Sequence, residues 1–143
     1  MAKRNRIYIA GPMTGMPEHN FPAFHAAAER LRDAGWDVVN PAENFGGQTD
    51  LPRETYLRTD VALMLGCEAI AMLPGWEDSR GAALEYLLAQ ELGMELLDAE
   101  TLEFPLHVPT ARVLLISLRR LHKAIFLEEA RTAFVIAGDE QCA

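Results

Sequence analysis

Short apolar runs alternate with amphipathic segments along the first two thirds of the chain. Four short runs of mostly apolar residues, bounded by Gly, Pro or polar residues, predict strands at 7–10, 36–39, 69–73 and 94–97. Three intervening segments repeat apolar residues at helical spacing and predict helices at 21–34, 53–65 and 80–92. Strands that alternate with helices through short connections indicate an α/β domain with a parallel sheet of four or five strands.

The helices are predicted to begin and end at recognisable capping residues. Asn20 precedes the first helix as an N-cap and Gly35 follows it as the left-handed residue, while Gly93 ends the third helix. The apolar residues expected to face the core are Phe21, Phe24, Ala28 and Leu31 in the first helix, Leu57, Val61, Met64 and Leu65 in the second, with Asp60 on a different face, and Leu84, Leu87, Leu88 and Leu92 in the third.

Three polar loops follow predicted strands, and parallel strands place such loops together at the carboxyl edge of the sheet. The loop 11–17 is rich in turn-forming residues and could cradle a phosphate, although it lacks the spacing of the glycine-rich nucleotide fingerprints. The segment after Asn40 contains the polar stretch 46–50, interpreted as a mobile connection or lid. The third loop, 74–79, precedes the third helix.

The stretch 74–85 has the pattern of an anion site. A loop that opens into a helix presents free backbone N–H groups and the positive end of the helix dipole. Ser79 is placed to cap this helix or to bind an anion, Gly81 leaves room for a ligand, and Glu85 follows two turns later. The pattern suggests that a phosphorylated sugar binds here, with the carboxylate of Glu85 beside its reactive carbon. On this stretch alone, the favoured interpretation is an ordinary capped helix with a solvated glutamate.

Composition narrows the function classes. The chain of 143 residues carries a formal net charge of -8, which disfavours duplex nucleic acid and anionic membranes as partners. Its two cysteines and four histidines are dispersed, so neither a disulfide framework nor a metal site is predicted, and no cofactor is expected. The start of the chain lacks the long apolar run of a secretory signal, so a cytoplasmic location is expected.

Beyond residue 100 the pattern changes. The predicted division is therefore an α/β domain at 1–100 and a C-terminal extension at 101–143. Apolar residues at heptad-like spacing between 110 and 134 favour a helix there, although 113–116 would also suit a strand. Basic residues in this segment exclude a membrane span. We expect the extension to cover the core or to form an oligomer interface.

Four motifs together resemble the nucleoside 2-deoxyribosyltransferase-like superfamily. They are Tyr-Ile-Ala-Gly-Pro-Met-Thr-Gly at 8–15, Arg-Thr-Asp at 58–60, Cys-Glu-Ala-Ile at 67–70 and Ser-Arg-Gly-Ala-Ala-Leu-Glu at 79–85. The resemblance spans 7–97 and implies a flavodoxin-like, Rossmann-like three-layer sandwich. Members either exchange bases between deoxynucleosides or hydrolyse the N-glycosidic bond of deoxynucleoside monophosphates.

The resemblance also implies the site residues. Glu85 matches the family nucleophile, Tyr8 the tyrosine that orients it, and Asp60 the aspartate that helps protonate the leaving base. A carboxylate suits attack on an anomeric carbon through an oxocarbenium-like transition state. Substrate-binding positions are implied at Gly11, Pro12, Met13, Thr14, Gly15, Asn40, Trp76, Ser79, Arg80 and Gly81.

Ser79 distinguishes the two branches of the family. The transferases tend to carry an aspartate at this position and the nucleotide hydrolases a serine, so Ser79 with Arg80 points to a 5′-phosphate. Pro12 and Thr14 depart from the pattern of the nucleotide hydrolases, which have Ser and Arg at the two corresponding positions. Trp76 is expected either to stack on the base or to cover the core.

The favoured interpretation is a deoxynucleoside 5′-monophosphate N-glycosidase that acts on a small-molecule substrate. The alternatives are a base-exchanging deoxyribosyltransferase, a non-catalytic nucleotide-binding protein and, third, a purely structural protein. The resemblance further implies a homodimer or a larger homo-oligomer. The sequence leaves open the base, its modification and the acceptance of ribose.

Overall fold

The computed structural model describes residues 5–104, and the predicted helix of the extension lies outside this range. Four strands alternate with three helices: β1 (Arg6–Ala10), α1 (Phe21–Asp33), β2 (Asp37–Val39), α2 (Arg53–Met64), β3 (Ala69–Met72), α3 (Arg80–Glu91) and β4 (Glu95–Asp98). The predicted α/β class is confirmed. No helix in the described part of the chain is both long and apolar enough to cross a membrane.

All strands are parallel and are arranged in the order β2-β1-β3-β4. Tyr8 of β1 lies opposite Val39 of β2 and Ile70 of β3, so it occupies the middle of the sheet. The chain order reverses between β1 and β3, where the connections leave in opposite directions. Such a switch point opens a crevice at the carboxyl ends of the strands, where α/β proteins bind ligands.

The residues of β1 alternate between the two faces of the sheet. Ile7 and Ile9 join a buried cluster that includes Phe24 and Leu31 of α1, as the sequence pattern of that helix predicts. Tyr8, which lies between them, therefore points to the opposite face. This alternation directs the one polar side chain of the buried part of β1 towards α3.

Two of the helices end as predicted at left-handed glycines. After α1, Gly35 has a φ of +95°, and the Trp36 N–H donates to the Leu31 carbonyl at 3.0 Å. This is a Schellman motif. Asn20 precedes α1 as expected, but it makes no side-chain cap; its amide donates instead to the Pro12 carbonyl at 2.9 Å. It therefore ties the β1 loop to the start of α1.

The inward face of α3 differs from the prediction. Leu92 is 53% exposed and Leu84, Leu87 and Leu88 are half-buried, whereas the buried residues are Ala82, Ala83, Glu85, Tyr86 and Ala89. Small side chains allow a helix to lie close against a sheet, so the alanines and not the larger leucines face inward. This close approach brings Glu85 against the sheet.

The prediction for α2 is also wrong in part. Met64 is fully buried, but Leu65 lies beyond the helix end and is 59% exposed. Asp60 is expected on a different face from Leu57, yet both line one cavity. Residues three apart on a helix are neighbours on its surface, which accounts for the shared face.

Candidate active site

A cavity of about 360 Å³ lies at the carboxyl edge of the sheet, within the usual range of roughly 300–1,000 Å³ for small-molecule sites. Nine of the predicted site residues line it: Tyr8, Gly11, Met13, Thr14, Gly15, Asp60, Ser79, Gly81 and Glu85. They come from β1 and its loop, α2, and the start of α3. Parallel topology thus brings together residues that are far apart in the sequence.

A buried hydrogen bond joins β1 to α3 at this cavity. The Tyr8 hydroxyl donates to Glu85 Oε1 at 2.9 Å, and the two residues are only 1% and 6% exposed. Burial raises the pKa of Glu85 to about 8; the Tyr8 hydrogen bond opposes this rise and the charge of Asp60 adds to it. Burial likewise raises the pKa of Tyr8 well above its usual value. Burial therefore favours the protonated form of Glu85.

The second acid of the cavity is Asp60, on α2. Burial raises its pKa to about 6, and a hydrogen bond from Asn44 opposes the rise. That bond runs from Asn44 Nδ2 to Asp60 Oδ1 at 3.1 Å. Two carboxyl groups with raised pKa values in one cavity are the pattern expected for acid–base or nucleophilic chemistry.

The N-terminus of α3 opens onto the cavity. Ser79 Oγ accepts the Ala82 N–H at 3.3 Å and so caps the helix, as predicted. A methyl group placed on Gly81 would have no heavy atom within 4 Å, so a ligand has room to approach the backbone. The first turn of α3 therefore presents backbone N–H groups and the positive helix dipole to the cavity.

Gly11, which follows β1, is required by close packing. A Cβ at this position would lie 2.7 Å from Leu73 Cβ, which is below any normal contact. The loop after β1 can therefore run tightly beside the end of β3. This packing shapes one wall of the cavity, and Thr14 and Gly15 form the next part of the same wall.

Four of the predicted binding residues do not line the cavity: Pro12, Asn40, Trp76 and Arg80. Asn40 is 2% exposed, and its Oδ1 accepts the Ala42 N–H at 3.0 Å, so it holds the turn after β2. Trp76 is 4% exposed and packs against the Tyr86 ring at 4.3 Å between centroids. It covers the core, the second of the two predicted roles.

Several lining residues were not predicted from the sequence. Arg53, Tyr56 and Leu57 share the cavity with Asp60, and their spacing of three and four residues was the signal that could have identified them. Asn44 was also missed, although it lies in the segment that follows a strand at the correct edge of the sheet.

His19 also lines the cavity, within a backbone segment that is sterically unfavourable. Glu18, His19 and Asn20 have φ values of 51°, 52° and 60°. Consecutive left-handed residues other than glycine are costly, and such conformations cluster at functional sites. Asn and His adopt a positive φ more often than most residues, so His19 and Asn20 were a weak sequence signal for this conformation.

The charges of the cavity are unevenly distributed. Among the described residues that line it, Arg53 is the one arginine or lysine, and it faces the same space as the two acids. Within 5–104 no group of three His, Cys, Asp or Glu side chains is arranged to hold a metal ion. The arrangement supplies two titratable carboxyl groups, a phenol and one guanidinium.

The fold is shared with a solved structure of a 2-deoxyribosyltransferase from the psychrotolerant bacterium Bacillus psychrosaccharolyticus. The TM-score is 0.55 with 20% sequence identity, over 76% of this chain and 79% of the other. This similarity confirms the predicted fold. A search among curated proteins found no match. A family described as a domain of unknown function, DUF4406, matches residues 5–98. Since this match covers more than half of the chain, the protein belongs to the DUF4406 family.

Proposed function

We propose that the protein hydrolyses the N-glycosidic bond of a 2′-deoxynucleoside 5′-monophosphate and releases a free base and deoxyribose 5-phosphate. The observation that carries the proposal is the buried hydrogen bond between Tyr8 and Glu85 in a cavity that Asp60 also lines. Ordinary solvated glutamates make no such contact. A buried carboxyl held by a phenol is instead typical of an oriented nucleophile.

In the proposed mechanism Glu85 attacks the anomeric carbon. Tyr8 holds Oε1, which leaves Oε2 to form the new bond to C1′ as the bond from C1′ to the base nitrogen breaks. Asp60 delivers its proton to that nitrogen, so the base leaves neutral. Water then attacks C1′ and gives a proton to the Asp60 carboxylate as the bond from C1′ to Oε2 breaks, which regenerates ionised Glu85 and protonated Asp60 and gives net retention of configuration.

The raised pKa values determine how much of the protein is in the active protonation state. The reaction needs Glu85 ionised and Asp60 protonated, which means one proton shared by the two acids. Without substrate, the pKa values of about 8 and about 6 place that proton mainly on Glu85. The active arrangement is therefore a minor form of the singly protonated pair, and a bound substrate that interacts with ionised Glu85 would increase its population.

The phosphate is proposed to lie at the start of α3. Ser79 and Gly81 line the cavity there, and the helix dipole favours an anion. Arg53 lies seven residues before Asp60 on α2, about two turns nearer the start of that helix. A substrate with its phosphate between Arg53 and Ser79 would extend its sugar towards Asp60 and Glu85.

A second candidate function is base exchange between deoxynucleosides. The structural neighbour from Bacillus psychrosaccharolyticus is a 2-deoxyribosyltransferase, and the same nucleophile would serve both reactions. The two differ in whether water or an acceptor base resolves the glycosyl-enzyme. A non-catalytic nucleotide-binding protein is the third candidate, in which Glu85 would remain unreacted.

The test is incubation of the purified protein with a panel of deoxynucleoside monophosphates and deoxynucleosides, with and without an acceptor base. Chromatography measures the released base, and Glu85→Ala is the control variant. Release from monophosphates alone, lost in the variant, is the expected result. Release that requires an acceptor base would establish the transferase. Binding of monophosphates without cleavage in either protein would favour the binding protein.

We also propose that the protein forms a homodimer or a larger homo-oligomer, in line with the family resemblance. Sedimentation velocity of the full chain tests this directly. A single species with the mass of one 15.9 kDa chain would contradict it.

A further inference from the structure

The segment between β2 and α2, residues 41–51, is tied to the face of α2. The Phe45 and Tyr56 rings meet edge to face with centroids 5.3 Å apart. The Tyr56 hydroxyl donates to the Gln48 carbonyl at 2.8 Å and accepts the Leu51 N–H at 3.0 Å. The stretch 46–50, interpreted from sequence as a mobile connection or lid, is therefore anchored to the helix at both ends.

The same segment reaches Asp60 through Asn44. Buried Asn40 caps the turn that begins the segment by accepting the Ala42 N–H. Asn44 then adopts an extended backbone, with a φ of -72° and a ψ of 152°, and Phe45 follows in the left-handed region with a φ of 55°. This conformation places the Asn44 amide 3.1 Å from Asp60 Oδ1.

The direction of this hydrogen bond distinguishes the two oxygens of Asp60. Asn44 Nδ2 is a donor, so Oδ1 must act as the acceptor. When Asp60 is neutral, this contact favours the proton on Oδ2, because the carbonyl-type oxygen of a carboxylic acid is the better acceptor. Both residues line the cavity, so the Asp60 carboxyl lies beside the space that a ligand would occupy.

We propose that Asn44 is a positioning residue for Asp60: its amide holds Oδ1 as an acceptor and thereby presents the proton on Oδ2 to the leaving base. The inference rests on the proposed function for the identity of the leaving group. The proton moves from Oδ2 to the base nitrogen while the glycosidic electron pair goes to that nitrogen. Asp60 becomes a carboxylate, which the Asn44 N–H then stabilises by a charge-assisted hydrogen bond.

The other ionisable groups of the cavity belong to three elements and one loop. They share the cavity with Asp60 and are Tyr8 of β1, His19 of the loop after β1, Arg53 and Tyr56 of α2, and Glu85 of α3. A test must therefore change Asn44 while these groups stay in place.

The test compares the wild-type protein with Asn44→Leu, which keeps the side-chain volume and removes the amide. The carboxyl carbon of Asp60 is followed by ¹³C NMR from pH 4 to pH 9, assigned with Asp60→Asn. Because the lost hydrogen bond stabilises ionised Asp60, we expect its pKa to rise above the wild-type value of about 6. In turnover we expect kcat to fall about 10-fold, with KM little changed.

Asp50→Asn is the matched control, because Asp50 belongs to the same segment, is exposed and does not line the cavity. We expect it to leave the Asp60 titration and the activity unchanged. An unaltered Asp60 titration in Asn44→Leu would overturn the proposal. So would an equal shift in Asp50→Asn, since this would reflect loosening of the whole segment. Asn44→Ser provides the same comparison if the leucine variant does not fold.

The NMR titration requires no substrate. If the protein cleaves no nucleotide but the Asp60 titration shifts in Asn44→Leu, the proposed function fails and the control of the Asp60 proton by Asn44 stands. If nucleotides are cleaved and the Asp60 titration is unaltered in Asn44→Leu, the positioning role of Asn44 fails and the proposed function stands.

Discussion

The Tyr8 hydroxyl lies 2.9 Å from Glu85 Oε1, although 77 residues of sequence separate the two. The contact joins the central strand of the sheet to the second turn of α3, and both partners are almost completely buried. A neutral carboxyl would need no charged partner in this position. Ionisation of Glu85 would make the same hydrogen bond charge-assisted and stronger.

We expect Tyr8→Phe to impair activity through the protonation of Glu85. The hydrogen bond from Tyr8 lowers the pKa of Glu85, so its loss raises that pKa above about 8. Hydrogen bonds to charged groups contribute about 1.5–3 kcal/mol, so kcat/KM at pH 7 should fall roughly 10–100-fold. Kinetics from pH 5 to pH 9 measure the change. Tyr86→Phe, on the same helix as Glu85 and away from the cavity, should retain full activity; equal losses in both variants would contradict the role of Tyr8.

Glu85→Gln should stabilise the protein at alkaline pH. The folded state holds the Glu85 proton up to a pKa of about 8, against 4.5 for an unperturbed glutamate. Between these values the unfolded state binds fewer protons, so the wild-type free energy of unfolding decreases as pH rises. At about 1.36 kcal/mol per pKa unit, this group accounts for a decrease of about 5 kcal/mol between pH 4 and pH 9.

Glutamine has no proton to lose, so the variant should lack this decrease. Urea unfolding at both pH values measures it, with Glu91→Gln, on the exposed face of the same helix, as the control. Identical pH dependence in the wild type and Glu85→Gln would show that Glu85 titrates normally.

The activity should show a bell-shaped dependence on pH. The active form carries one proton between Asp60 and Glu85, so kcat/KM should rise through about pH 6 and fall above about pH 8. Asp60→Asn should reduce kcat roughly 10²–10⁴-fold and convert the bell to a single rise, because Glu85 alone must then lose a proton. Substrates with better leaving bases should recover much of this loss. A bell retained in Asp60→Asn would assign the alkaline limb to another group.

Arg53 should determine the preference for a phosphorylated substrate. Arg53→Gln removes the one guanidinium of the described lining and should raise KM for a monophosphate about 10-fold, with little effect on the free nucleoside. Arg58→Gln, exposed on the same helix, is the matched control. A parallel loss with both substrates in Arg53→Gln would indicate a general effect on the cavity and not phosphate binding.

Gly11 and Gly81 should respond differently to alanine. A methyl group at Gly11 would lie 2.7 Å from Leu73 Cβ, so Gly11→Ala should destabilise the protein by about 1–3 kcal/mol. Gly81 has open space and lies in a helix, so Gly81→Ala should stabilise it by about 0.5–1 kcal/mol while it narrows the approach to the backbone. Chemical unfolding measures the free energy of unfolding of both variants. Equal changes in the two variants would contradict the prediction.

The local sequence pattern predicted the elements and the edge of the sheet where the cavity lies. Helix periodicity, capping by Ser79 and left-handed glycines such as Gly35 are properties of neighbouring residues, so they can be recognised without the fold. Parallel topology then requires the loops after the strands to meet at one edge. The family resemblance added Tyr8, Asp60 and Glu85, which the structure brings to one cavity.

Contacts between distant elements were decided only by the tertiary structure. The leucines of α3 were expected inside, but the distance between helix and sheet suits alanines, and this closeness buries Glu85 beside Tyr8. Trp76 was expected either at the ligand or in the core, and packing against Tyr86 places it in the core. The hydrogen bond from Asn44 to Asp60 depends on how the 41–51 segment folds against α2.

The sequence by itself determined where the strands and turns lie, and hence which residue types follow each strand. Hydrophobic periodicity and turn propensity depend only on residues that are close together in the chain. The tertiary structure alone decided which of these side chains are buried and paired. Burial and hydrogen bonding, and with them the raised pKa values of Asp60 and Glu85, arise from atoms that separate elements bring together.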